Sequence, residues 1–165
     1  MSARIYLIGS LRNEKVPRVA QMLRAAGHEV FDDWYAAGPE ADYYWQRYEQ
    51  EERKHTYTEA LLGYPANHVF GYDRFHLDRC NIGVLLLPAG KSSHLELGYM
   101  IGQGKRGFIV MMEEPERFDV MYKFATVVQS LPELLNRLER LDHEAKAGEA
   151  GAGAEASGKG RARGA

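Results

Sequence analysis

Cysteine is nearly missing from this chain. Cys80 is the single copy, so an intrachain disulfide framework is excluded and a reducing compartment is permitted. A cysteine cluster of the zinc-binding kind is excluded with it. Long apolar runs are missing too: no stretch reaches the ~20 residues that span a bilayer, and MSARIYLIGS lacks the longer apolar segment of a secretory leader. Charge of one sign is scarce, since 21 basic and 23 acidic residues leave a formal −2 without the basic surplus that nucleic-acid polymers attract. These absences lead to the expectation of a cytoplasmic protein with neither a membrane nor polymeric nucleic acid as partner.

What is present organises itself around Asn81 to Lys105, NIGVLLLPAGKSSHLELGYMIGQGK. Ile82 to Leu87 is a continuous apolar run of the length and kind expected for a strand buried on both faces of a parallel sheet. A turn through Pro88, Ala89, Gly90 and Lys91 leads into a helix whose apolar side is Leu95, Leu97, Tyr99, Met100 and Ile101, with Ser92 or Ser93 as candidate caps. Glu96 lies one turn into that helix, at the end of the sheet where ligands of open α/β folds bind. Two readings of Glu96 compete. Ser93-x-x-Glu96 has the spacing of a capping box, which would account for the glutamate by itself. A carboxylate at the mouth of a glycine-rich strand-to-helix turn can equally serve as a nucleophile or charge stabiliser for an anomeric carbon.

The chain begins with another strand, loop and helix. Ile5 to Ile8 runs into Gly9, Ser10, Leu11, Arg12 and Asn13, and Val16, Val19, Leu23 and Ala26 then recur at helical spacing up to Gly27. Backbone N–H groups at Gly9 and Ser10, together with the Arg12 guanidinium, could cradle a phosphate. Glu29 to Phe31 reads as a second strand, whose end presents Asp32, Asp33 and Trp34 as polar candidates. From Pro39 to about Leu62 the chain is aromatic and charged, and is expected to be helical over much of its length. Tyr44, Trp45 and Tyr48 fall near one another there, with core packing expected ahead of a lid or a subunit contact. His55 and the neighbouring glutamates lack metal-ligand spacing, so no metal is assigned.

After the break at Gly63-Tyr64-Pro65, a helical pattern from Ala66 to Arg79 carries Asp73 and Asp78. Their spacing allows at most one of them to look toward Glu96. His68 and His76 read as ordinary polar helix positions, with a histidine general base as the alternative, though nothing pairs with either by spacing. Gly107 to Met112 is a further buried strand, Val120 to Phe124 a short helix, Thr126 to Val128 a last strand, and Leu131 to Leu141 a terminal amphipathic helix. The remainder is rich in glycine and alanine, with few side chains able to join a core. One domain over residues 1–143 and a disordered tail over 144–165 are therefore expected. The alternation of strands and helices predicts a three-layer α/β architecture, flavodoxin-like or Rossmann-like, with a mainly parallel sheet and flanking helices.

Taken together, IYLIGSLRN, Asp73 eight residues before Asn81, and SSHLELGYMIGQGK resemble the nucleoside 2-deoxyribosyltransferase superfamily, which includes the 5′-monophosphate deoxynucleoside N-hydrolases. The resemblance spans roughly the first two thirds of the chain in ordered fragments. It implies a glycosyl enzyme acting on small nucleosides or nucleotides without a cofactor, assembled as a homo-oligomer. Glu96 corresponds to the nucleophile, Asp73 to the aspartate that serves the leaving base, and Tyr6 to the aromatic residue that helps place the glutamate. Gly9, Ser10 and Arg12 resemble the loop that faces a 5′-phosphate in the hydrolase branch. Where members often carry an aspartate or serine, six residues before the nucleophile, this chain has Gly90, so Ser92 or Ser93 is expected to supply the polar contact. An NAD-cleaving glycohydrolase, a nucleotide-binding module without turnover and a purely structural protein are the competing readings.

Overall fold

Five short aliphatic runs pair side by side, every neighbour parallel, in the order β2-β1-β3-β4-β5. They are β1 (Arg4–Ile8), β2 (Glu29–Phe31), β3 (Ile82–Leu86), β4 (Arg106–Val110) and β5 (Thr126–Val128). This is the flavodoxin-like strand order, and it meets the fold expected from sequence. The computed structural model describes residues 3–115 and 118–158. No helix among them is long and apolar enough to cross a membrane.

Alternation along the strands builds two cores. Ile5, Leu7, Val84, Leu86, Phe108 and Val110 face one side, where they pack with helix α1 (Val16–Ala25) and helix α6 (Leu131–Gly158). Tyr6, Ile8, Phe31, Leu85 and Ile109 face the other, against α4 (Tyr64–Arg79) and α5 (Lys91–Gly102). In α1 the buried positions are Val16, Val19, Ala20 and Leu23, the i, i+3, i+4, i+7 stripe of an amphipathic helix. Gly27, at φ 91°, ends it in a left-handed conformation that suits glycine, and the His28 N–H returns to the Leu23 carbonyl.

The segment after β2 is helical in pieces: a 3₁₀ turn (Asp33–Ala37), α2 (Ala41–Arg47), a π turn (Tyr48–Glu52) and α3 (Tyr57–Leu62). The expected core role is not met by its tyrosines, while Trp45 is half-buried. Tyr43, Tyr44 and Tyr48 are 51%, 63% and 47% exposed, because the sheet face they might have covered is already taken by α4 and α5. The terminal helix also differs from expectation. It continues past Leu141 through Gly158. Residues 159–165 of the expected tail lie outside the described residues.

Helix α5 lies unusually close to the sheet. Gly83 and Gly107 are register partners on β3 and β4, and both sit beneath it. A methyl group on Gly83 would meet Met100 Sδ at 2.9 Å and Leu97 Cδ1 at 3.0 Å. One on Gly107 would meet Ile101 Cγ1 at 2.8 Å and Leu97 Cδ1 at 3.1 Å. Gly107→Ala should therefore overpack this layer and lower stability by about 1–3 kcal/mol. Denaturant unfolding would check this, and a wild-type midpoint would show that the helix can lift without cost.

Candidate active site

The strand order reverses between β1 and β3, the place where open α/β sheets present a crevice at the carboxyl ends of the strands. Three polar side chains fix its walls. Trp34 Nε1 donates to the Leu7 carbonyl at 2.8 Å, drawing the turn after β2 over the end of β1. Ser93 Oγ donates to the Gly9 carbonyl at 2.9 Å, tying the first turn of α5 to the same place. The buried Asn13 reaches the Leu86 and Pro88 carbonyls through Nδ2, at 3.4 Å each. Gly9 is hemmed in, since a methyl there would meet Val16 Cγ2 at 3.1 Å and the Trp34 ring at 3.5 Å.

The capping account of Glu96 does not hold. Helix α5 starts earlier than that motif required, with Gly90 as its N-cap and no side-chain cap, and Ser93 is spent on Gly9. A capping box does occur elsewhere, between Thr56 and Glu59 at the start of α3. Glu96 is thus released from any local structural duty. Its carboxyl is mostly withdrawn from water and pushed up to about 8, first by burial and then by the charge of Asp73. Burial likewise raises Asp73, against the lowering effect of a hydrogen bond from the Tyr6 hydroxyl. Tyr6 is 1% exposed, and its hydroxyl is held protonated by burial and by the charges of Glu96 and Asp73. Between them the two carboxyls retain a proton at neutral pH, with a phenol O–H beside them.

Asp73, Glu96 and Tyr6 are therefore brought together from α4, α5 and β1. Asp78 is not part of the group; it accepts from the Tyr99 hydroxyl at 2.7 Å and from Gln103 Nε2 at 2.8 Å. Gly9 and Ser93 line the crevice, Gly90 and the exposed Ser92 stand at the uncapped start of α5, and Ser10 Oγ accepts from the Arg12 N–H at 3.2 Å. Arg12 itself turns to α2, where its guanidinium grips Asp42. Trp34 is half-buried at the crevice, whereas Asp33 is exposed beside it.

Two contributors escaped the sequence reading. His76 is no ordinary surface position: its ring stacks on Phe31 at 3.7 Å and 9°, and Phe31 in turn meets Tyr6 at 4.9 Å. Burial and Arg79 keep this imidazole neutral, with Asp33 opposing. Its place one turn after Asp73 was the available signal. His94 holds the Gly90 turn, donating from Nδ1 to the Gly90 carbonyl at 2.7 Å while Nε2 accepts from the Tyr122 hydroxyl at 2.8 Å. That side of α5 borders a separate cavity of about 320 Å³ over the ends of β3 and β4, which the two carboxyls do not line. Among the described residues no group of three or more His, Cys, Asp or Glu is placed to hold a metal ion.

Comparison with solved structures agrees with this architecture. A 2-deoxyribosyltransferase from Bacillus psychrosaccharolyticus superposes with a TM-score of 0.55 at 21% identity, over 81% of this chain and 91% of that one. The chain has the fold of that enzyme. A CMP N-glycosidase from Clostridium botulinum gives a TM-score of 0.49 at 12% identity, over 82% of this chain and 98% of its own. No protein-family model and no curated protein matches the chain in sequence.

The raised carboxyl makes a prediction about stability. Glu96 ionises near its ordinary value of 4.5 when unfolded but only at about 8 when folded. Stability is thus full below pH 4.5 and is lost as pH rises toward 8. Glu96→Gln removes that loss. The variant should match wild type near pH 4.5 and exceed it by about 1–3 kcal/mol at pH 8, after allowing for partial solvent screening. Chemical unfolding across that range would decide it; parallel curves would mean that Glu96 is not desolvated.

Proposed function

We propose that this protein breaks the N-glycosidic bond of a nucleoside, a deoxynucleoside or a 5′-monophosphate of either, using Glu96 as the nucleophile. The observation that carries the reading is the Glu96–Asp73–Tyr6 group at the strand-order switch, two half-buried carboxyls against a buried tyrosine, with Glu96 free of any capping role. The fold shared with a 2-deoxyribosyltransferase supports it.

The chemistry follows from the groups. Glu96 attacks the anomeric carbon as a carboxylate, and the bonding pair of the C–N bond leaves on the base nitrogen. The proton that Glu96 retains at rest shifts within the pair to Asp73 as the carboxylate attacks, and Asp73 hands it to the base, which is the task a raised carboxyl suits. Tyr6 donates its O–H toward the pair and fixes which oxygens face the sugar. A glycosyl ester on Glu96 results. In the second half, water or an acceptor base attacks the same carbon and gives its proton to Asp73, restoring Glu96. Hydrolysis and transfer differ only in that second nucleophile. Oxocarbenium charge in both steps is met by the carboxylates, in a site with little water to compete.

The same reading assigns Gly9, Ser10 and the start of α5 to the sugar and its 5′ end, and Trp34 with the Phe31–His76 wall to the base side. It also takes the active form to be a homo-oligomer. Leu62, Tyr64, Phe70 and Phe75 on α3 and on α4, the helix that carries Asp73, are exposed apolar groups, which a second copy would cover.

Three measurements test this. Glu96→Gln should reduce single-turnover base release roughly 10²- to 10³-fold or more while the protein stays folded. Asp73→Asn should be milder on substrates whose base leaves readily. Undiminished release by folded Glu96→Gln would remove the nucleophile assignment. Arg12→Ala should weaken use of monophosphates more than of nucleosides, and equal losses would make the loop structural. In solution, light scattering should give a dimer or larger species, and a strict monomer with full activity would remove the assembly.

A further inference from the structure

Arg12 stands in the loop that offers backbone N–H groups and a cation to the 5′ end of a substrate. Its guanidinium already holds a partner, with Nη2 donating to Asp42 Oδ1 at 2.7 Å and Nη1 to Oδ2 at 3.2 Å. A fork of two N–H donors on two oxygens is the geometry in which arginine takes a phosphate monoester. Glu40 adds a second negative charge toward the same guanidinium.

Asp42 has a local reason to be where it is. It lies in the first turn of α2, where a negative charge suits the helix dipole, and its Oδ1 also accepts from the Tyr43 N–H at 2.9 Å. That local role does not require Arg12, which lies 30 residues earlier in the chain. The pair is open to water, with the two side chains 53% and 58% exposed, so it contributes little to stability and can be exchanged. A phosphate entering at Arg12 would displace the carboxylate but not remove it, since Asp42 stays anchored on α2 a few ångströms away.

We propose that Asp42 is a specificity-determining residue: it occupies Arg12 in the manner of a 5′-phosphate, and its charge biases the site toward nucleosides and against their monophosphates. This rests on the assignment of the Gly9–Asn13 loop to the 5′ end of the substrate. The discrimination is electrostatic. A dianionic phosphate must break a bidentate pair and then sit beside a displaced carboxylate, while an uncharged 5′-hydroxyl does neither.

The test is Asp42→Asn, which keeps the shape and the acceptor for Tyr43 but removes the charge. Binding of a nucleoside 5′-monophosphate and of its parent nucleoside would be measured by calorimetry for both proteins, beside kcat and KM for base release. The affinity for the monophosphate relative to the nucleoside should rise roughly tenfold in Asp42→Asn, through KM rather than kcat, and the gain should shrink at high salt. An unchanged or lower ratio overturns the inference, as would a purely structural Asp42 that altered melting alone. The two readings separate cleanly. A shifted binding ratio without any base release keeps Asp42 and removes the glycosyl chemistry, whereas base release with an unshifted ratio does the reverse. Failure of both proteins to bind either ligand overturns both.

Discussion

The close seating of α5 on the sheet is the constraint on which the rest of the molecule depends. Two register-paired glycines, Gly83 and Gly107, leave bare backbone at two points beneath the helix, so Leu97, Met100 and Ile101 settle directly onto the strands there. With the helix at that height, Ser93 reaches the Gly9 carbonyl and Glu96 sinks beside Tyr6. A taller spacer would lift both. The position of the proposed nucleophile is thus decided beneath it, on the strands, more than by the loop that carries its motif.

The buried carboxyls run against the folding of the chain that holds them. Burial raises both Glu96 and Asp73, the charge of Asp73 raises Glu96 further, and at neutral pH a carboxyl kept from ionising is free energy lost from the folded state. The hydrophobic faces supply the compensation. Tyr6, Phe31 and Ile109 on the sheet, with Leu77, Leu97 and Met100 from the helices, enclose the group in a continuous apolar layer. The proposed chemistry and stability are opposed here in the same side chains.

Much of the fold was legible in the sequence. The apolar run at Ile82, the glycine after Ile8 and the helical stripe of Val16, Val19 and Leu23 all specify local structure through neighbours in the chain. The strand at Thr126–Val128 falls where its short β-branched run indicated. The failures have a common cause. Ser93-x-x-Glu96 fits a cap only if the helix begins at that serine, and the register of a helix start depends on the turn before it. The aromatics of α2 have a periodicity that says which side chains share a face but not what covers that face. Arg12 and Asp42 meet across two turns of chain geometry that no spacing rule encodes. His76 looked polar because a ring stacked on Phe31 cannot be inferred from the residue's own neighbours.

The indole of Trp34 serves as a latch between β1 and the turn after β2, and this gives the molecule an intrinsic optical reporter. Its N–H is pinned to the Leu7 carbonyl while its ring overhangs Gly9, so the transition dipole is oriented within the crevice itself. The second indole, Trp45, lies on α2 and supplies a second emitter against which the first can be read. Replacing Trp45 with phenylalanine would leave Trp34 as the sole indole, and its emission wavelength and quenching by dissolved acrylamide would then follow the filling of the crevice without any label.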